Sequence, residues 1–193
     1  MKLLSFENAP IILASASPSR AALLKNAGVA FESAPSDFDE DSLGDLAPFE
    51  FVYRAAIGKA KIAIARFGEA RRIIAADTVV SARNKLLRKA VDRADAKAKL
   101  LLQSGGEVAI VTCSVFHSRS KELIDVSQTR YRFAPFEEGD LESYLDSGDW
   151  RGKAGAIMVE GFAKPYIRYQ KGSTNCALGL TIEAILPFIR RAV

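Results

Sequence analysis

The sequence has little of several residues on which common protein architectures depend. Only two of its 193 residues are cysteines, Cys113 and Cys176, and only one is a histidine, His117. Two cysteines are too few for a disulfide framework, so a reducing, cytoplasmic setting is expected. A single histidine excludes a histidine-rich metal centre. Nothing near His117 resembles the nucleophile elbow that accompanies a Ser-His-Asp triad.

Long apolar runs are also missing. No segment approaches the roughly 20 apolar residues that span a bilayer, and residues 1–10 lack the basic-then-apolar order of a signal peptide. We therefore expect no membrane partner. The net charge of +4 is modest and basic residues are mixed with acidic ones, so a nucleic-acid polymer is not an expected partner either. The basic stretch 83–93 fits a solvated surface or a site for a small polyanion.

The two common phosphate-binding glycine loops are absent. A serine-rich turn follows the predicted strand 11–14 instead, and in it Ser17 suits a helix N-cap and Pro18 the first helical position. A helix N-terminus favours anions, and the hydroxyls of Ser15 and Ser17 and the guanidinium of Arg20 add donors for phosphate oxygens. An ordinary capped helix explains the same residues.

Strands alternate with helices along the chain, which predicts an α/β fold. The predicted helices cover residues 18–27, 48–67, 93–103, 138–145 and 180–191. The predicted strands cover residues 11–14, 73–80, 108–116, 123–127, 129–133, 156–160 and 166–170. We expect one domain over residues 1–193, with two lobes and a boundary best placed in the glycine-flanked stretch 148–155.

A few charged residues lie where a core is predicted. Asp77 interrupts the apolar run 73–80, and burying its carboxylate requires a partner, a metal or a raised pKa. That makes it a candidate site residue, although a position at the solvent end of the strand is an alternative. Lys59 lies at the edge of an apolar helix face, where lysines also extend to solvent. Lys89, in a basic stretch, and Glu40, in an acidic loop, indicate little alone.

Together these features resemble the Maf family of nucleoside triphosphate pyrophosphatases. The matching blocks occur in family order between about residue 11 and residue 185: Leu13–Arg20, Ser36–Glu40, Lys59–Ala60, Ala76–Val80, Lys89, Lys153–Ala156, Glu160–Gly161 and Gly172–Leu180. The chain departs from the family pattern at Ser19, where the family has arginine. It also departs at Arg88 and Ala90, where the family has glycine and proline beside the lysine.

The resemblance implies an elongated, twisted mixed sheet flanked by helices, as in inosine triphosphate pyrophosphatases, with a central cleft between two lobes and a homodimeric assembly. It implies hydrolysis of a nucleoside triphosphate to its monophosphate and pyrophosphate, with Mg²⁺ or Mn²⁺ as cofactor. The implied roles are proton acceptor for Asp77, metal ligands for Glu40 and Asp77, and polyphosphate contacts for Ser15, Ser17, Arg20, Lys59 and Lys89.

Base preference is not decided by the resemblance. The family's choice of nucleotide is associated with the positions of Ser19, Thr78 and Glu160. The branch acting on dTTP and UTP has arginine, threonine and glutamine there, and the branch acting on 7-methyl-GTP has tryptophan, glutamine and glutamate. This chain matches neither branch. The departures also keep an alternative open, a nucleotide-binding regulator of growth or septation with little catalysis.

Overall fold

The computed structural model describes residues 9–190. The prediction for the first ten residues concerns residues that are mostly outside this range. The predicted helix end at Arg191 also lies outside it. The helices are α1 (Pro18–Asn26), α2 (Pro48–Phe67), α3 (Arg93–Gln103), α4 (Glu138–Ser147), α5 (Thr174–Ala177) and α6 (Ile182–Arg190). The strands are β1 (Ile11–Leu13), β2 (Phe31–Ser33), β3 (Ile73–Ala82), β4 (Lys85–Leu87), β5 (Glu107–Ser118), β6 (Lys121–Phe133) and β7 (Ile167–Lys171).

The strands form one mixed sheet. Their order is β2-β1-β3-β5-β6-β7, and β4 pairs with β3 beside this path. β1 is parallel to both β2 and β3, whereas β4 is antiparallel to β3 and β7 is antiparallel to β6. The predicted α/β class with a mixed sheet is therefore confirmed. None of the helices between residues 9 and 190 has the length and apolar character that crossing a membrane requires.

The chain divides into two compact units. The first consists of the described residues up to Asp77, the segment Thr112–Ser127 and the described residues from Leu178 onward. The second consists of Thr78–Val111 and Gln128–Ala177, and it contains the stretch 148–155. Strands β3, β5 and β6 each contribute residues to both units.

The first unit has an apolar core between its strands and helices. Its fully buried members come from β1, α1, β3, β5 and the C-terminal segment: Ile11, Leu13, Leu24, Ile74, Phe116, Leu180 and Ile185. The backbone N–H of Thr181, just before α6, donates to Ser114 Oγ on β5 at 3.0 Å. This core packs β1 and α1 against the first half of β3.

The second unit is packed around aromatic rings. Tyr144 of α4 stacks on Phe162 with ring centroids 4.4 Å apart, and Phe136 meets Phe162 edge to face at 5.0 Å. The Tyr144 hydroxyl donates to the carbonyl of Ala156 at 3.0 Å, and Gln103 Nε2 of α3 donates to the carbonyl of Gly155 at 2.7 Å. The turn at residues 155–156 is therefore held from both helices.

One strand prediction was wrong. Residues 156–160 form turns, because Gly155 and Ala156 have φ of 60° and 59°, which is left-handed rather than extended backbone. The β-branched residues that suggested a strand there are buried within the turns. Segments 123–127 and 129–133 are both extended, as predicted, and they form one continuous strand, β6.

Other differences are small. Tyr166 ends a short 3-10 turn, so β7 begins at Ile167. The predicted last helix begins at Ile182 instead of Leu180. Strands β2 and β4 were not predicted, because three residues are too few to show a periodicity.

Candidate active site

The serine-rich turn leads from β1 into α1 as predicted. Ser17 is the N-cap of α1, and its hydroxyl accepts the backbone N–H of Arg20 at 3.4 Å. Ser15 Oγ accepts the backbone N–H of Ser17 at 3.2 Å and Arg20 Nη1 at 2.9 Å. The Nε of Arg20 donates to the carbonyl of Gly179 at 2.7 Å. The guanidinium is therefore buried and fixed in orientation at the N-terminus of α1.

A second charged side chain is buried on α2. Lys59 is 8% exposed and follows the apolar stripe that also buries Ala55, Ala56 and Ala63. Its Nζ lies 2.5 Å from Asp77 Oδ1 and 2.6 Å from Glu40 Oε1. The alternative of a lysine extending to solvent is excluded, since the ammonium bridges two carboxylates.

Asp77 is the last β3 residue of the first unit and is 4% exposed. Lys59 occupies one of its carboxylate oxygens. The other oxygen, Oδ2, is buried and accepts no hydrogen bond from the described residues. A buried carboxylate oxygen without a partner is costly in a core and is expected mainly where a ligand or reactant completes the site. The alternative position of Asp77 at a solvent-exposed strand end is wrong.

Glu40 reaches this site from the acidic loop before α2. The loop is shaped locally, because the Asp41 N–H donates to Asp39 Oδ1 at 2.9 Å and Ser42 Oγ donates to the Asp39 carbonyl at 2.7 Å. It also rests on α2 at a glycine. A Cβ on Gly58 would lie 2.1 Å from the ring of Phe38, so only glycine lets this ring approach the helix next to Lys59.

Arg20, Glu40, Lys59 and Asp77 form what we call the buried charge cluster. Burial raises the pKa of the Asp77 carboxyl, Lys59 acts in the opposite direction and Glu40 adds to the rise. Burial also lowers the pKa of the Arg20 guanidinium, while Asp77 and Glu40 oppose that change. An arginine stays protonated in proteins, so Arg20 remains a cation.

The donor set of the cluster fits a small divalent cation. The carboxylates of Glu40 and Asp77 lie close together, since both contact the same ammonium, and Asp77 Oδ2 has no partner. Mg²⁺ is commonly bound by one or two carboxylates completed by substrate phosphates and water. No group of three or more His, Cys, Asp or Glu side chains within residues 9–190 could hold a metal ion. Two carboxylates alone therefore make an incomplete site that substrate oxygens would complete.

The remaining predicted site residues belong to the second unit, except Ser19. Ser19 lies half-buried in the first turn of α1. Thr78 begins the second unit directly after Asp77 and is half-buried. Lys89 is exposed, and its backbone forms an isolated antiparallel β-bridge with Ala154. This pairing brings together two of the sequence blocks that resemble the Maf family. Glu160 is exposed, and its carboxylate lies 3.6 Å from Lys153 Nζ.

Three residues that position the site were not predicted. Gly58 and Phe38 seat the acidic loop on α2, and the Gly179 carbonyl orients Arg20. The sequence did contain one signal, a glycine in the middle of a helix, which lowers helix stability and so indicates a packing or functional reason.

The family profile described as Maf-like protein matches residues 10–192. The chain belongs to the Maf family. The resemblance inferred from the sequence blocks is thereby confirmed. Relatives of this Maf-family chain that carry the name nucleoside triphosphate pyrophosphatase occur in several bacteria. The protein from a Nitratiruptor species is 46% identical over 177 residues, 91% of this chain and 96% of its own.

Two further relatives have the same name. The protein from Helicobacter pylori (strain Shi470) is 40% identical over 180 residues, covering 93% of this Maf-family chain and 95% of its own. The protein from Campylobacter jejuni (serotype O:6, strain 81116) is 33% identical over 182 residues, covering 93% and 100%. The similarity to these relatives extends over more than nine-tenths of each chain and is not confined to one motif.

Proposed function

We propose that this Maf-family chain hydrolyses the α-β phosphoanhydride of a nucleoside triphosphate, releasing the monophosphate and pyrophosphate. The observation that carries the proposal is the environment of Asp77. One carboxylate oxygen is held by Lys59 at 2.5 Å, while the other is buried and has no partner. A hydrolase acting on phosphoanhydrides is also what the names of the full-length relatives indicate, so the enzyme prediction is confirmed at that level.

Asp77 Oδ2 accepts the proton of the attacking water in this proposal. Lys59 holds the Oδ1 atom and thereby fixes the carboxylate plane, so that Oδ2 faces the reactant. The raised pKa of Asp77 increases its proton affinity, which brings a carboxylate closer to the range suited to a general base near neutral pH. Glu40 adds negative charge that supports the rise.

Arg20, Ser15 and Ser17 contact the polyphosphate. The N-terminus of α1 supplies a partial positive charge, and Arg20 is already oriented by its bonds to Ser15 and Gly179. Little reorganisation is therefore needed when phosphate oxygens arrive. In this proposal Lys89 is a further cation for the phosphates, and the Lys59 ammonium attracts the phosphate oxygens as well as the two carboxylates.

Glu40 and Asp77 would hold the Mg²⁺ or Mn²⁺ ion. When bound there, the ion would neutralise phosphate charge and lower the pKa of a coordinated water. The buried cluster is itself nearly neutral, with two cations against two carboxylates, so its own groups offset little of the charge of a triphosphate.

Ser19, Thr78 and Glu160 choose the nucleotide in this proposal. Glu160 is exposed next to Lys153, so it is able to accept hydrogen bonds from a guanine edge. Thr78 follows Asp77 directly, and threonine is also the residue at this position in the branch that acts on dTTP and UTP. The proposal also includes a homodimer, which light scattering of the purified chain tests. It places the enzyme in the cytoplasm, which localisation of a tagged copy tests.

The test measures pyrophosphate release from dTTP, UTP, CTP, pseudo-UTP, GTP and 7-methyl-GTP with Mg²⁺ and with Mn²⁺. We expect turnover of at least one nucleotide, lost by about a hundredfold or more in Asp77→Asn, as is typical when a general base is removed. A preference for 7-methyl-GTP would identify Glu160 as the better guide to the base, and a preference for dTTP or UTP would identify Thr78.

The matched control is Asp125→Asn, a carboxylate of the same unit that bonds to Ser127 at 2.8 Å outside the cluster. It should retain turnover. If Asp77→Asn kept full turnover, Asp77 would not be the proton acceptor. If every nucleotide stayed intact while some bound, the chain would be a nucleotide-binding regulator.

A further inference from the structure

The second unit contains a pocket that shares no residue with the predicted site. Its volume is about 580 Å³, within the range of about 300–1,000 Å³ usual for small-molecule sites. Four cations line it, Arg83, Arg130, Arg132 and Lys171, and a single acid, Glu107. We call it the basic pocket.

The cations of the basic pocket are poorly neutralised. Glu107 lies 3.7 Å from Arg132, and both side chains are mostly exposed. Among the residues that the structure describes, Arg83, Arg130 and Lys171 form no ion pair with an acid. The pocket therefore concentrates positive charge in a concave surface, which is the arrangement that attracts anions.

Two of these cations stand opposite each other at a cost to the fold. The antiparallel register of β6 and β7 places Arg130 directly across from Lys171. Like charges in this position destabilise a strand pair. Two residues further along the register, Arg132 pairs with Tyr169, which is 55% exposed and also lines the pocket.

A third cation occupies an unfavourable backbone position. Arg83 and Asn84 form the two-residue turn between β3 and β4, with φ of 49° and 61°. Such a turn favours asparagine, aspartate or glycine at its first position, since a larger side chain is strained in left-handed backbone. Positions that break local rules are expected at functional sites, and here both departures bring cations into one pocket.

We propose that the basic pocket is a second binding site, distinct from the predicted catalytic residues, for a nucleotide. Arg130 and Lys171 contact its phosphates and Arg83 adds charge. The exposed ring of Tyr169 stacks on its base, which is a sequence-tolerant contact. The volume suits one nucleotide, and the excess of cations over acids suits its phosphates.

The experiment titrates the full-length, isotope-labelled chain with α,β-methylene-UTP and α,β-methylene-GTP, which resist cleavage at the α-β bond. The backbone amide signals of Arg130, Tyr169 and Lys171 report the pocket directly. We expect saturable shifts of these signals with at least one probe. Equilibrium dialysis of the same samples counts whether the pocket adds one bound nucleotide per chain.

The double variant Arg130→Gln, Lys171→Gln should weaken this binding by about tenfold or more, because each cation provides a charge-assisted hydrogen bond. The control Lys164→Gln, Arg168→Gln removes the same charge at exposed residues that do not line the pocket, and it should leave the affinity unchanged. Tyr169→Ala should weaken nucleotide binding about fivefold or more while leaving binding of inorganic pyrophosphate unchanged.

Four results would overturn the proposal. The first is the absence of saturable shifts at these amides, and the second is equal affinity for pyrophosphate and nucleotide. The third is much tighter binding of a single-stranded oligonucleotide, with affinity falling steeply with salt, which would indicate a nucleic-acid surface. The fourth is a dimer in light scattering whose dissociation alone accounts for the shifts at Arg130, Tyr169 and Lys171.

Discussion

The charges of the buried charge cluster are paired and shielded from water, whereas those of the basic pocket are of like sign and exposed. In the cluster, Lys59 is 8% exposed and touches two carboxylates. In the pocket, Arg130 faces Lys171, and both are exposed to water. Removing a charge from water is expensive, so buried charges persist only with partners, whereas exposed like charges are screened and tolerated. The first region should therefore be sensitive to single substitutions and the second to salt and ligands.

The largest effect should come from breaking the cluster at its centre. Lys59→Met leaves Asp77 and Glu40 close together without their shared cation. Because breaking a buried pair leaves an uncompensated charge, the free energy of unfolding should fall by about 3 kcal/mol at pH 7. Guanidinium denaturation followed by circular dichroism measures it. Lys61→Met, an exposed lysine on the same helix, should change stability by less than about 0.5 kcal/mol.

The penalty in Lys59→Met should depend on pH in a defined direction. The folded pKa of Asp77 is raised by burial and lowered by Lys59, so removing Lys59 raises it further. As pH rises above about 4, the unfolded carboxyl loses its proton first while the folded one retains it. Stability is therefore lost progressively as pH rises toward the folded pKa. A smaller penalty at pH 5 than at pH 8 is expected, and a pH-independent penalty would contradict this origin.

A substitution that changes no charge should also displace Glu40 from the buried charge cluster. Gly58→Ala places a Cβ within the space of the half-exposed Phe38 ring, which is then pushed outward with the loop that carries Glu40. Overpacking should lower the free energy of unfolding by about 1 kcal/mol, and pyrophosphate release should fall about tenfold.

The control for Gly58→Ala is Gly139→Ala in α4. A Cβ on Gly139, in the first turn of α4, meets nothing within 4 Å, so alanine there should leave stability unchanged or raise it by up to about 0.5 kcal/mol. If Gly58→Ala behaved in the same way and kept full turnover, the acidic loop would not be positioned by this contact.

Local features of the site could be predicted from the sequence, whereas its tertiary contacts could not. The cap at Ser17 and the proline at the start of α1 were predictable, because both signals are local. The apolar run around Asp77 indicated a buried carboxylate, yet the bridge from Lys59 to Glu40 depends on tertiary packing. The contact between Gly58 and Phe38 joins residues twenty positions apart, and no periodicity encodes it.

The wrong strand at residues 156–160 has the same origin. β-Branched and apolar residues there match a strand pattern, but they are buried by turns that α3 and α4 hold through Gly155 and Ala156. The left-handed backbone of an alanine is not a conformation that local propensity predicts. Tertiary contacts decided the conformation at this segment.

In the basic pocket the expected change is a gain in stability. Arg83→Gly relieves the strain of left-handed backbone at φ 49°, so the free energy of unfolding should rise by about 1 kcal/mol. Arg119→Gly is the matched control in the turn between β5 and β6, where the arginine has no positive φ. Glycine there should lower stability, because it adds freedom to the unfolded chain. Equal effects at both turns would remove the argument from strain.

The smallest effect should come from Lys171→Glu, which turns the like-charge pair across β6 and β7 into an attractive one. Stability should rise by about 0.5 kcal/mol at low salt, and the gain should shrink as salt screens the pair. In the background of Arg130→Gln the gain should largely vanish, since the partner charge is gone. Arg168→Glu, on the same strand but outside the pocket, should show less salt dependence. A gain that survived both Arg130→Gln and high salt would mean that Arg130 and Lys171 do not repel each other, and the basic pocket would lose its electrostatic contrast with the buried charge cluster.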